Sequence, residues 1–227
     1  MLWGLVSFVF LFFERSKNSG PNKETFNKLK EYIEVRGGMI SLSERVKTVK
    51  IKNNLVSQLI TTKRDIGKFD YVISTVPYEN TRRIFSDSIF ENPINLEYSP
   101  IVNTHIWLKT TPLEIGFYGI IDSPIHWLFN HGSHLTVVMS NASILINKNN
   151  TEIFEIVMNE LQKYIGITNK MVRHYKVLKE RRATFISSNT IIGQRPFATS
   201  KFNNLFLAGD WIETGLPSTI ESAVLSG

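Results

Sequence analysis

Asn203-Asn204-Leu205-Phe206-Leu207-Ala208-Gly209-Asp210-Trp211 runs directly into Ile212-Glu213-Thr214-Gly215-Leu216-Pro217-Ser218-Thr219-Ile220-Glu221-Ser222-Ala223. The apolar run at 205–208, bounded by a Gly-Asp pair, predicts a buried strand. Ser218-Thr219-Ile220-Glu221 after Pro217 predicts a helix start. Backbone N–H groups at a helix start have no intrahelical acceptor. Approached closely by a glycine turn, they can hold a phosphate or a polarised carbonyl, while Asp210 can accept hydrogen bonds from hydroxyls. A capped helix without a ligand accounts for the same spacing, because function does not follow from a strand, a turn and a helix alone.

The chain around this stretch is long enough, at 227 residues, to bury a real core. Its 42% hydrophobic and 20% charged content is that of a folded globular protein, as one large or two small domains. There is no cysteine, which excludes disulfides, thiolate metal sites and cysteine nucleophiles. The net charge of +6 is spread along the chain, densest over 163–182, and reads as a solvated face. Basic residues interleaved with aromatics, or a known module, would be needed for nucleic-acid binding, and neither is present. Attraction to anionic lipid headgroups fits the charge better. The apolar run at 1–13 (MLWGLVSFVFLFF) has roughly two-thirds of the length a membrane-spanning helix needs. It also lacks the basic lead and small-residue cleavage site of a signal peptide. A buried element, a membrane-touching anchor and the ragged edge of a truncated gene remain as readings of it.

Residues 16–22 are polar, with Gly20-Pro21 as a loop signal. Residues 23–35 then place Phe26, Leu29, Tyr32 and Ile33 at helical spacing, with Gly37-Gly38 as the stop. Strands are predicted at 39–42, 46–51, 55–61 and 71–75, with Asn53-Asn54 as a hairpin turn. A helical piece at 79–85 leads to strands at 101–108, 126–129 and 134–140, the makings of an antiparallel sheet. Residues 151–165 predict a helix, with Asn149, Asn150 or Thr151 as candidate caps and Gly166 as the stop, before a strand at 171–178. The aromatic content of this middle region suits either a core or a tunnel for a long hydrocarbon. His131 and His134 are three apart, but a zinc site needs a third or fourth ligand, and Gly132-Ser133 predicts a loop. Neither a Gly-x-Ser-x-Gly elbow nor a P-loop occurs, so acyl transfer and nucleotide hydrolysis have no local support.

The 203–223 stretch resembles the C-terminal FAD-contacting motif of the flavin amine oxidase superfamily, which includes monoamine oxidases, protoporphyrinogen oxidases and carotenoid desaturases. Its wording, Ala208-Gly209-Asp210-Trp211 and then Thr214-Gly215-Leu216-Pro217-Ser218-Thr219-Ile220-Glu221-Ser222-Ala223, is most similar to the hydroxysqualene dehydroxylase branch, the squalene-associated FAD-dependent desaturases. Lys179-Glu180-Arg181-Arg182-Ala183-Thr184-Phe185 and Arg195-Pro196 resemble the segment that precedes the motif in that branch. The resemblance covers roughly 23–227 and implies a mixed α/β (α+β) chain, the C-terminal portion of an amine-oxidase-like FAD-binding fold. It implies a partial FAD-binding domain at 23–78, with a helix, a Gly-Gly, a strand, a three-stranded meander and a strand ending in Pro77. A substrate domain built on an antiparallel sheet is implied at 79–185, and a C-terminal FAD-binding segment at 186–227. The apolar segment and loop at 1–22 stand apart.

By the same resemblance the cofactor is FAD. The backbone of Val46 lies where the family contacts adenine, although a strand valine is ordinarily core. Asp210, after Gly209, binds ribityl or pyrophosphate oxygens. The backbone of Leu216, Pro217, Ser218, Thr219 and Ile220 sits near the isoalloxazine. No side chain is assigned as a catalytic acid. The strand, Gly-x-Gly-x-x-Gly and helix of a dinucleotide-binding βαβ unit do not occur in these residues. The expectation is therefore a fragment of an FAD-dependent oxidoreductase that, complete, removes a hydroxyl from a C30 isoprenoid in hopanoid biosynthesis, and that is inactive and flavin-free alone. Alternatives are one half of a split enzyme, completed by a separately encoded N-terminal half, that acts on a carotenoid, porphyrinogen or amine, and a non-enzymatic remnant with exposed apolar patches. A cytoplasmic location, with peripheral contact to the inner face of the membrane, is expected.

Overall fold

The computed structural model describes residues 9–10 and 22–227, with side chains from residue 27 onward. The readings of the apolar run at 1–13 and of the loop at 16–22 therefore fall almost wholly outside the described residues. In chain order the elements are β1 (Val9–Phe10), α1 (Asn22–Val35), β2 (Met39–Ile40), β3 (Val46–Lys52), β4 (Leu55–Thr61), β5 (Asp65–Ile66), β6 (Val72–Ser74) and α2 (Tyr78–Phe85). They continue as β7 (Tyr98–Leu108), β8 (Gly116–Gly119), β9 (Trp127–Asn130), β10 (Leu135–Met139), α3 (Asn150–Ile165), β11 (Val172–Phe185), β12 (Leu205–Leu207) and α4 (Ile220–Ser226). The chain divides into two compact units, Met1–Asn95 with Ser187–Gly227, and Leu96–Ile186.

In the first unit, α1 ends on Gly37, whose φ of 79° turns the chain so that Gly38 N–H donates back to the Ile33 carbonyl at 3.0 Å. β3, β4 and β5 form an antiparallel meander. The β3–β4 hairpin turns on Asn53 and Asn54, both at positive φ (52° and 60°), as a two-residue turn between right-twisted strands requires. β6 pairs in parallel with β12, and β1 pairs in parallel with β2. The backbone order after α1, a Gly-Gly, a strand, a three-stranded meander and a strand ending before Pro77, is the one the resemblance implies. α2 follows β6 directly and buries Tyr78, Thr81, Ile84 and Phe85. Residues 79–95, expected in the substrate portion, thus belong to the first unit.

The second unit is one antiparallel sheet in the order β11-β7-β10-β9-β8, with α3 on one face. Val102, Ile106, Leu135, Val137 and Leu128 alternate onto that face and pack with Ile153, Val157 and Leu161 of α3. Asn149 caps α3 in a reciprocal box with Glu152, and Gly166 closes it at φ 77°. β8 and β5 are absent from the sequence reading because both are short edge elements. β11 runs seven residues beyond the predicted end at 178. Its charged continuation has no apolar alternation, yet the backbone goes on pairing with β7 through a register shift after Glu180.

Candidate functional site

The opening stretch folds as a strand, a glycine turn and a helix, all in the first unit. Leu205 and Leu207 are buried, and the backbone pairing with β6 is extended by Val72 N–H donating to the Asn204 carbonyl (2.8 Å) and Ala208 N–H donating to the Ser74 carbonyl (2.9 Å). Gly209 then turns at φ 149°, and a Cβ placed on it would lie 2.7 Å from Nε1 of Trp211. Only glycine therefore lets the Trp211 indole fold back against the turn. That indole is buried, donates to the Val76 carbonyl at 3.1 Å and packs edge-on against Tyr78 and Phe90. The turn is consequently anchored to the end of β6 on both sides.

Beyond it, Asp210 accepts through Oδ2 from the Ser218 hydroxyl. Thr219 caps α4 by accepting from Ser222 N–H at 3.1 Å, and the Thr214 and Ser222 hydroxyls lie 2.6 Å apart. Arg195, whose side chain is 5% exposed, pairs with Glu213 at 3.1 Å and donates from Nη1 to the Leu216 carbonyl at 2.7 Å. Glu213 also accepts from Gly215 N–H at 2.8 Å. The Glu213 carboxyl is held below the usual carboxylate range, first by Arg195 and then by the Gly215 amide. The result is a 213–219 loop fixed from beneath. Among the described residues, nothing accepts from the backbone N–H groups of Ser218, Thr219 or Ile220. Three unused donors beside an aspartate fit a polar ring edge or a chain of hydroxyls, which is the chemistry a flavin and its ribityl chain present.

Val46 opens β3 and is buried. Its side chain lines a cavity of about 40 Å³ with Leu59, Val72, Ser74 and Val76. That volume is far below the ~300 Å³ at which ligand pockets begin, so an adenine contact at Val46 would run through its backbone. Val46 and the Gly209 turn share a neighbour, since Ser74 and Val76 line this cavity and also accept from Ala208 and Trp211. Asn204 and Glu213 escaped the sequence reading. Asn204 is buried, accepting from Val56 N–H at 2.8 Å and donating to the Val56 carbonyl at 3.0 Å, which ties β12 to the meander. A Glu213-x-Gly215 turn with an arginine upstream was the one available signal for the ion pair.

A parallel β6–β12 pair, a three-stranded meander and a five-stranded antiparallel sheet together define an α/β oxidoreductase fold of the amine-oxidase type. The family model for flavin containing amine oxidoreductases matches residues 5–227, and the chain belongs to that family. It is 30% identical over 199 residues to a hydroxysqualene dehydroxylase of Zymomonas mobilis, which covers 87% of this chain and 47% of that protein. It is 35% identical over 131 residues to the hydroxysqualene dehydroxylase of Rhodopseudomonas palustris, covering 58% of this chain and 31% of the relative. An oxidoreductase from Methanosarcina mazei shares the fold, with a TM-score of 0.69 at 17% identity over 90% of this chain and 52% of that one. The chain thus spans about half the length of the Zymomonas mobilis relative it matches. Among the described residues, no helix is long and apolar enough to cross a membrane.

Proposed function

We propose that this chain supplies the carboxyl-terminal flavin contacts and the substrate sheet of an FAD-dependent oxidoreductase that removes the hydroxyl of a hydroxysqualene-type C30 isoprenoid. The observation that carries the reading is the Asp210 turn with its three unused amides, set in a chain 30% identical to a hydroxysqualene dehydroxylase over most of its length. Reduced FAD, when bound, supplies the hydride. Asp210 accepts from ribityl hydroxyls. The backbone of Leu216, Pro217, Ser218, Thr219 and Ile220 donates to the carbonyl edge of the ring, where negative charge collects on reduction. Gly209 keeps that approach open, and the backbone of Val46 meets the adenine.

The pyrophosphate is then held by residues outside these 227, since they contain no Gly-x-Gly-x-x-Gly between a strand and a helix. Leu29 and Tyr32, on the apolar face of α1, are about half exposed, which favours a split enzyme whose other half covers that helix. An apolar substrate and a net charge of +6 are consistent with peripheral contact at an anionic membrane surface on the cytoplasmic side.

The test is to purify the chain alone and record its visible absorbance, then add a glycine-rich N-terminal half and reduced FAD, and assay hydroxysqualene. The expected course is a colourless protein that takes up flavin only with its other half and then forms squalene. Stoichiometric flavin on the chain alone would overturn the divided site. A loaded enzyme that leaves hydroxysqualene untouched would overturn the substrate.

A further inference from the structure

Beyond the Gly209 turn the chain places a serine at every fourth position: Ser218 just ahead of α4, Ser222 within its first turn and Ser226 at its last residue. Residues four apart lie on one side of a helix. All three hydroxyls meet the 209–214 segment. Ser218 donates to Oδ2 of Asp210, and Ser222 is fully buried with its oxygen 2.6 Å from that of Thr214. Ser226 accepts from the Gly209 N–H at 2.8 Å. The first two contacts belong to the loop already described, whereas Ser226 has no role in it.

Both functions of the Ser226 hydroxyl are committed. Its proton goes to the Ala223 carbonyl at 2.7 Å, which leaves a lone pair on oxygen for Gly209. Gly209 needs such a hold. Its φ of 149° lies in a region that other residues avoid, and a residue without a side chain keeps more backbone freedom than any other. The backbone pairing with β6 ends one residue earlier, where Ala208 N–H donates to the Ser74 carbonyl. Among the described residues, the hydroxyl of Ser226 is the acceptor that Gly209 N–H has in place of a strand partner. Rotation about Gly209 would swing the Asp210 carboxylate that follows it. Ser226 therefore grips the amide at one end of the Gly209-Asp210 pair while Ser218 grips the carboxylate at the other. α4 acts as a splint between the two grips, and Ser222 fastens its middle to Thr214.

We propose that Ser226 is a positioning residue for the flavin, acting through the Gly209 amide to hold the Asp210 carboxylate and the amides of Ser218, Thr219 and Ile220 in one fixed arrangement before the cofactor arrives. This role rests on the flavin reading of the Asp210 turn. Groups already in place need not be ordered when a ligand binds, and affinity rises accordingly. The contact also withdraws the Gly209 amide from any ligand, so Gly209 serves the site through its open backbone and not as a donor.

Two measurements test it. The first needs no flavin: amide hydrogen exchange is followed in the full chain as wild type, Ser226→Ala and Ser226→Thr. Ser226→Ala should speed exchange at Gly209 by about 10-fold, the worth of one hydrogen bond, with Ala208 unchanged because Ser74 still holds it. Ser226→Thr keeps the hydroxyl and should restore the wild-type rate. An unchanged Gly209 rate in Ser226→Ala, or equal exchange in both variants, would overturn the grip. The second titrates FAD into the chain together with its N-terminal half. Ser226→Ala should raise the Kd for FAD by about 10-fold, and Ser226→Thr should return it to the wild-type value. FAD affinity that Ser226→Ala leaves unaltered would overturn the positioning role, even where Gly209 exchanges faster. A wild-type pair that takes up no FAD would overturn the flavin reading and this role with it, and the exchange rates, read without flavin, show whether the grip itself exists.

Discussion

The Arg195 guanidinium lies 3.1 Å from the Glu213 carboxylate, Nε to Oε2, with the arginine side chain 5% exposed and the glutamate 26% exposed. Eighteen residues separate them, and between them they hold both sides of a turn: Arg195 takes the Leu216 carbonyl and Glu213 the Gly215 N–H. The proposed flavin-facing amides begin at the next residues. Their position therefore depends on a pair that faces the protein rather than the cofactor.

Glu213→Ala removes the carboxylate that pairs with the buried Arg195 guanidinium at 3.1 Å. Breaking such a pair costs about 3 kcal/mol, and the partial exposure of Glu213 keeps the figure at the low end of the range. Urea unfolding should show this loss, and flavin uptake in the presence of the N-terminal half should weaken with it.

Acid should destabilise the first unit through two carboxylates. Glu44 is held at about 2, against an ordinary 4.5, by the hydroxyls of Ser41 and Thr61 and then by Arg64. Glu213 is lowered in the same direction. A depressed folded-state value means that the stabilisation is complete above the unfolded carboxylate value and disappears as pH falls through the folded one. Melting temperature should thus hold from neutrality to about pH 5 and fall steadily below it. Glu44→Gln should flatten that fall.

Thr104 is fully buried, and its hydroxyl is the one buried side-chain polar atom without a partner among the described residues. Thr104→Val keeps the shape and removes the unpaired group, so it should raise stability by about 1 kcal/mol, read as a higher urea midpoint.

Gly209→Ala places a methyl group 2.7 Å from the Trp211 indole nitrogen at a φ of 149°. A loss of about 2 kcal/mol or more is expected from backbone strain and displacement of the indole. Tryptophan fluorescence should shift to the red as Trp211 leaves its contact with Val76.

Asn204→Leu removes both hydrogen bonds to Val56 and leaves that residue's buried backbone N–H and carbonyl unpaired. Each unsatisfied group costs about 1–3 kcal/mol. Hydrogen exchange should quicken in β4 and β12 and stay unchanged in α3, which lies in the other unit.

Local signals were legible wherever a rule acts within a few residues. Asn53-Asn54 identified a hairpin because two consecutive positive φ angles select that dipeptide. Asn149 and Gly166 marked the ends of α3 because capping consumes groups within one turn. The short edge strands β5 and β8, and the charged end of β11, escaped because their pairing uses backbone atoms that leave no apolar pattern. The His131–His134 spacing was weighed as a metal site. Strand alternation could place His105 and Trp107 on one face, but not which residues of β10 and β11 lie beside them.

The sequence alone determined the order of the longer elements, the Gly209-Asp210 motif and the flavin family it belongs to, because each is written in contiguous residues whose chemistry is local. Only the tertiary structure decided that Arg195 grips the loop after that motif and that Asn204 locks it to the meander. It also decided that Ser226 closes back on Gly209. Those meetings depend on strand register and loop closure, which are settled by burying one face of a sheet as a whole and have no counterpart in the spacing of any single segment.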